Sequence, residues 1–341
     1  MSAGACILGC SGPVLTAPER AFFAEARPWG FILFARNVET PEQVRALTAS
    51  LRETVGRADA PILIDQEGGR VQRLGPPHWG RYPSGRAYGT LKAADPLFRR
   101  EIARLGGRLL AHDLAAVGIN VDCLPVLDVP APGAHQVIGD RAYGDTPDEV
   151  ALLGRAIAEG LLAGGVLPVI KHIPGHGRAQ ADSHLELPVV AAGWDELDGR
   201  DFAPFRALSD MPMAMTAHVV YAAIDRKRPA TTSRSVIRTA VRGAIGFNGL
   251  VMTDDLSMKA LQGGLRERAA DARAAGCDVV LHCNGNLAEM SAVADGAGRL
   301  RGRAARRAEA ALARRPKAVE PFDAAAGRAR FDSAFEGRFA A

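Results

Sequence analysis

The sequence predicts a single (β/α)8 barrel, and two observations carry that expectation. Eight short apolar runs alternate with eight longer stretches of helical pattern, and residues able to do chemistry collect at the C-terminal ends of the runs. A doubly wound open sheet is the competing architecture. It would need a glycine fingerprint for phosphate after the first strand, and Gly9-Cys10-Ser11-Gly12 is too weak to serve. No linker or composition shift divides the chain, so residues 1–320 are expected to form one domain and 321–341 a C-terminal extension.

The expected strands are 5–10, 31–34, 61–65, 120–125, 167–172, 214–218, 250–254 and 278–283. Between them the expected helices are 17–26, 41–56, 96–117, 147–163, 195–209, 234–244, 258–275 and 286–313. Thr40-Pro41-Glu42, Thr146-Pro147-Asp148 and Ser233 read as helix caps. Gly30, Gly118, Gly165, Gly246 and Gly276 stand just before strands, where helix stops belong. Pro168 sits awkwardly in a central strand because it brings no backbone donor.

Composition narrows the function. The 48% hydrophobic and 23% charged fractions suit a globular protein, and the net charge of +4 is modest. Its basic excess gathers in Arg299, Arg301, Arg303, Arg306, Arg307, Arg314 and Arg315, interleaved with alanine. This reads as the solvated face of a late helix rather than a nucleic-acid surface, since no aromatic stacking residues are interleaved. The five cysteines lie in or beside apolar runs and read as buried free thiols in a reducing compartment. Ile7-Leu8-Gly9-Cys10 mimics a lipoprotein cleavage site but lacks a basic start and an apolar core before it. No apolar run approaches the roughly 20 residues of a membrane helix. A cytoplasmic protein without nucleic-acid or membrane partners is expected, as a monomer or weak homo-oligomer.

Chemistry is expected first in residues 166–186, where the fifth strand runs into Lys171 and His172. Three of the eight histidines fall within thirteen residues there, near Asp182. Asp182 and His184, two apart, can form an orienting dyad. A zinc site of His172, His176, Asp182 and His184 is the rival, though its spacing fits no common motif and Lys171 would repel a cation. Strand ends also present Asp65, Asp122, His218, Asp254-Asp255 and Cys283-Asn284. In 64–73, from Asp65 onward, a carboxylate with an arginine beside it either accepts from neighbouring sugar hydroxyls or makes a surface ion pair on an exposed loop, and these residues alone favour neither. Asp254 suits a nucleophile or a metal ligand, and Asp255 or Ser257 a helix cap. Arg141 either reaches a polyhydroxyl substrate or pairs with Asp140, and the local pair is the stronger reading from these residues alone.

Together, IDQEGGRVQR (64–73), IGDRAYG (138–144), KHIPGHG (171–177), ADSH (181–184) and TDDLSM (253–258) resemble glycoside hydrolase family 3. The likeness is to its single-domain bacterial β-N-acetylglucosaminidases of peptidoglycan recycling, with Ile173 standing where an aromatic residue is usual. The resemblance implies a retaining mechanism with Asp254 as nucleophile and His184, paired with Asp182, as acid/base. It also implies that Asp65, Arg73, Arg141, Lys171 and His172 hold a terminal N-acetylglucosamine, and that no metal or other cofactor takes part. A histidine acid departs from the usual pair of carboxyl groups about 5–5.5 Å apart.

The expected activity is removal of N-acetylglucosamine from cell-wall fragments such as 1,6-anhydro-muropeptides, so the partner is a small carbohydrate. Loop 173–185 is expected to move on Gly175 and Gly177. The alternatives are a phosphorylase or broader β-glucosidase of the same family, a metal-dependent hydrolase, and a sugar-binding barrel without turnover.

Overall fold

A computed structural model describes residues 2–91, 95–181, 183 and 186–339. Eight strands lie side by side in chain order: β1 Gly4–Leu8, β2 Pro28–Leu33, β3 Ile62–Ile64, β4 Val121–Asp122, β5 Leu167–Ile173, β6 Met213–Thr216, β7 Leu250–Asp255 and β8 Val279–His282. All neighbours pair in parallel, and β8 closes on β1 through Cys6 opposite Val280. This is the expected (β/α)8 barrel. Strands covered by helices outside and packed side chains inside must be apolar on both faces, and every residue of β1, β2, β3 and β5 is buried. A two-residue parallel ladder, Val189–Val190 with Val220–Tyr221, lies outside the barrel.

The helix starts follow their caps. Thr40 accepts from the Gln43 amide at 3.2 Å, Thr146 from Glu149 at 3.3 Å and Ser233 from Val236 at 3.2 Å. Pro168 is accommodated because pairing with β6 begins only at Val169 opposite Met213. The amides of Leu167 and Val169 on either side of it donate toward β4 and its flanks.

Several bounds differ from expectation, and three of the differences have a clear local cause. Gly30 is not a helix stop but lies inside β2, because Arg27 ends helix Ala17–Ala26 in the left-handed region at φ 48°. The helix expected at 258–275 is Leu265–Ala275, since Gly263 turns at φ 83° and Glu267 caps the Gly264 amide. The stretch 286–313 is two helices, Leu287–Ala297 and Gly302–Leu312, parted where Gly298 and Gly302 both take positive φ.

The arginine run is not merely a solvated face. Arg299 donates to the carbonyl of Ala26, Arg307 to Asn248, Arg314 to Asp210 and Arg315 to Gly165. Those carbonyls stand just before β2, β7, β6 and β5, so the segment clamps the floor of the barrel. Beyond it, helix Ala324–Ala334 packs the buried Phe331 against helix Pro96–Ala116 and its surroundings.

Candidate active site

At the C-terminal ends of the strands opens a cleft of about 360 Å³. Asp65, Arg73, Arg141, Lys171, His172 and Asp254 all line it, as do Asp255 and Cys283. Residues from five separate strand ends and their loops therefore meet because the barrel directs them to one face. Asp182 and His184 lie outside the described residues. Asp122 does not reach the cleft: it is buried beneath, accepts the Gln66 amide at 3.0 Å, and burial pushes its carboxyl well above the usual range. Asn284 faces outward and bonds Glu289.

One wall is a network of opposite charges. Lys171 places its ammonium 2.8 Å from Asp65 Oδ1 and 2.7 Å from Glu67 Oε1. Glu67 also accepts both arms of Arg141, each at 2.8 Å, while Arg73 stands 3.6 Å from Asp65. Burial disfavours charge on Glu67, yet Arg141 and Lys171 outweigh it and hold the carboxyl below its ordinary value. For Lys171 burial again opposes charge, and Asp65 with Glu67 reverses the balance, raising the ammonium above its ordinary value. The wall keeps its charges and offers donors and acceptors at fixed positions, which suits adjacent hydroxyls.

Arg141 does not pair with Asp140, which Arg70 takes at 2.9 Å. Glu67 was missed as an organiser because it reads as one more charge in a polar loop. The signal was its place two residues after Asp65, on the same strand-end turn.

The other partner missed in the sequence is Asp128. It accepts from His172 Nδ1 at 2.6 Å and from the backbone amides of His172 and His176 at 3.2 and 2.6 Å. Burial raises the Asp128 carboxyl, but His172 and His176 pull it below its ordinary value. As a carboxylate it fixes the proton on His172 Nδ1, which leaves Nε2 for the cleft. Only a lone acid after an apolar run marks Asp128 in the sequence.

His176 points elsewhere, with Nε2 3.2 Å from Ser183 Oγ and the ring buried. Burial, and His172 beside it, lower it to about 4. Of the rival zinc set, His172 and His176 thus each have a ring nitrogen engaged by protein, and the other two members lie outside the described residues. The glycines expected as hinges are clamped. Tyr221 donates to the Gly175 carbonyl at 2.6 Å, and a side chain on Gly177 would come within 2.0 Å of the Val129 carbonyl oxygen.

Across the cleft from the charged wall lies Asp254. Its Oδ1 accepts the Asp255 amide at 2.8 Å, and Oδ2 has no hydrogen bond among the described residues. Burial works to raise its pKa, but His172, His218, the Asp255 amide and Lys171 together lower it. The result is an ionised carboxylate with one oxygen held and one open. Asp255 is not a helix cap. It closes a turn by accepting from the Ser257 amide and hydroxyl, at 3.1 and 2.5 Å, and it ties β7 to β8 through the Cys283 amide. His218 donates Nε2–H to the Asp255 carbonyl at 3.0 Å and meets Thr231 Oγ1 through Nδ1 at 2.7 Å.

Residues 19–314 match the model of the glycosyl hydrolase family 3 N-terminal domain. A β-hexosaminidase of Alkalilimnicola ehrlichii is 41% identical over 288 residues, 83% of this chain and 82% of that protein. One from Aromatoleum aromaticum is 39% identical over 324 residues, 94% and 90% of the two. Among solved structures, NagZ from Neisseria gonorrhoeae in complex with N-trifluoroacetyl-D-glucosamine superposes with a TM-score of 0.81 at 32% identity, covering 98% of each chain.

Proposed function

Because the chain belongs to glycoside hydrolase family 3, we propose that this glycosidase is a retaining exo-β-N-acetylglucosaminidase. It removes terminal N-acetylglucosamine from peptidoglycan fragments of the 1,6-anhydro-muropeptide kind, in the cytoplasm. The observation that carries the proposal is the open, ionised Asp254 carboxylate facing a wall of hydroxyl-binding charges. Two similarities support it: the β-hexosaminidase relatives, and a neighbour solved with an N-acylated glucosamine.

In this mechanism Asp65, Arg73, Arg141, Lys171 and His172 hold the sugar through its hydroxyls. Asp254 Oδ2 attacks the anomeric carbon as the glycosidic bond breaks. His184, oriented by Asp182, gives its proton to the leaving oxygen, and the sugar stays on Asp254 as a covalent ester. Neutral His184 then takes a proton from water, the hydroxide oxygen bonds to the anomeric carbon, and Asp254 leaves as a carboxylate.

The test is turnover of p-nitrophenyl N-acetyl-β-D-glucosaminide against the β-glucoside, with EDTA present and phosphate varied. Release from the N-acetyl substrate alone, indifferent to both additions, is the expected result. Acceleration by phosphate would reassign the protein as a phosphorylase, and equal use of the glucoside as a broad β-glucosidase. Asp254→Ala should lower kcat by about 10³-fold or more in a folded protein. His184→Ala should slow substrates with poor leaving groups far more than p-nitrophenyl; equal losses would remove it from the acid role.

A further inference from the structure

We infer that the helix Ala324–Ala334, beyond the residues matched by the family model, sets the position of the sugar-holding wall, with Arg328 as a positioning residue. The inference rests on the proposal that this wall binds the terminal sugar.

Arg328 lies against the segment that floors the 65–73 turn. Its Nη2 donates to the Arg81 carbonyl at 3.0 Å and to the Phe339 carbonyl at 2.5 Å. Its guanidinium stacks 5.3 Å from the Tyr82 ring, and it packs so close to Gly80 that a Cβ there would lie 2.5 Å from Nη1. An ion pair with Asp332 on the same helix aims the side chain. The next layer is backbone: Gly69 donates to the Tyr82 carbonyl at 2.8 Å, and the Tyr82 amide donates to Gln72 at 2.9 Å. A Cβ on Gly68 would lie 2.2 Å from the Pro83 carbonyl oxygen, so the turn rests on this floor without slack. One residue before Gly68 is Glu67, which holds Lys171 and Arg141.

A second line of contact leads to Arg141. Phe335 meets Tyr88 edge-on at 5.5 Å, and Tyr88 lies 6.1 Å from Tyr143. Phe331 of the helix also lies 6.2 Å from Tyr88, so the two ends of the wall are backed by this helix and Phe335, the residue that ends it. A displacement of Tyr82 is passed to the turn that carries Glu67 through its hydrogen bonds with Gly69 and Gln72, although a cavity of about 410 Å³ opens beside them between Gly69, Gln72, Arg81 and Phe339.

The test compares Arg328→Ala and Arg328→Lys with wild type in the full chain, measuring kcat, KM, inhibition by free N-acetylglucosamine, and the midpoint of thermal unfolding. The expected result is a KM and an inhibition constant raised in parallel by about 5- to 10-fold in Arg328→Ala, less in Arg328→Lys, with kcat within twofold. A purely structural role would lower the folded fraction, and with it apparent kcat, while KM stayed put. That outcome, or no change at all, overturns the inference. A wild type that neither turns over the substrate nor binds N-acetylglucosamine would instead overturn the function on which it rests, and the inference with it.

Discussion

Glu67 concentrates the residue-scale argument, since one buried carboxylate restrains the two cations that face the substrate. Exchange for the isosteric amide leaves Lys171 and Arg141 with less opposing charge in a place where water cannot replace it. Glu67→Gln is expected to cost about 3 kcal/mol of stability and to raise KM at least about tenfold. Urea unfolding beside steady-state kinetics checks both, and an unchanged KM would show that the cations hold their places without it. Asp65, Lys171 and Asp254 could be chosen from the sequence because they end strands. Glu67 and Asp128 could not, because their importance lies in which distant residues they meet: Arg141 is 74 positions from Glu67 and His172 is 44 from Asp128.

At the scale of elements, the β5 loop is anchored where mobility was expected. Residues from His172 to Ala179 are tied down by Asp128, by Tyr221 and by the close approach of Gly177 to Val129. Buried in this anchor, His176 stays neutral until the pH nears 4, whereas in the unfolded chain it takes a proton near its ordinary 6.5. Its contribution to stability is therefore intact above 6.5 and lost as the pH falls from there toward 4. The urea midpoint of the wild type should drop between pH 7 and 4.5, and that of His176→Asn should drop less. An identical drop in both would assign the acid sensitivity elsewhere. The spacing of glycines in 171–177 is visible in the sequence, but whether a glycine bends or packs depends on the chain lying against it.

For the whole molecule, the two faces of the barrel divide their work. The upper ends of the strands carry the cleft, and the lower ends are laced together by the arginine-rich segment. Arg307 bonds Asp278 at 3.1 Å and the carbonyl of Asn248, and Arg242 holds the other oxygen of Asp278 at 2.8 Å. Arg307→Ala is expected to cost about 1–2 kcal/mol and to lower the thermal midpoint by a few degrees, with kcat/KM unchanged. Altered kinetics at an unaltered midpoint would refute this division between the faces.

Local chemistry accounts for what could be read before folding. Alternating apolar runs and caps such as Thr40 and Thr146 specify strand and helix, because each depends on neighbours within a few residues, and the regular alternation of the two points to the barrel. The motifs around Asp65, Lys171 and Asp254 likewise announce the family and the face that bears its chemistry. Long-range contact settled the rest. It chose Glu67 over Asp140 as the partner of Arg141, Asp128 as the holder of His172, and backbone carbonyls as partners of Arg299, Arg307, Arg314 and Arg315, while Arg301, Arg303 and Arg306 stay exposed. A charged side chain pairs with whatever opposite charge or open carbonyl the fold brings within about 3 Å, and that distance exists only once the barrel has closed.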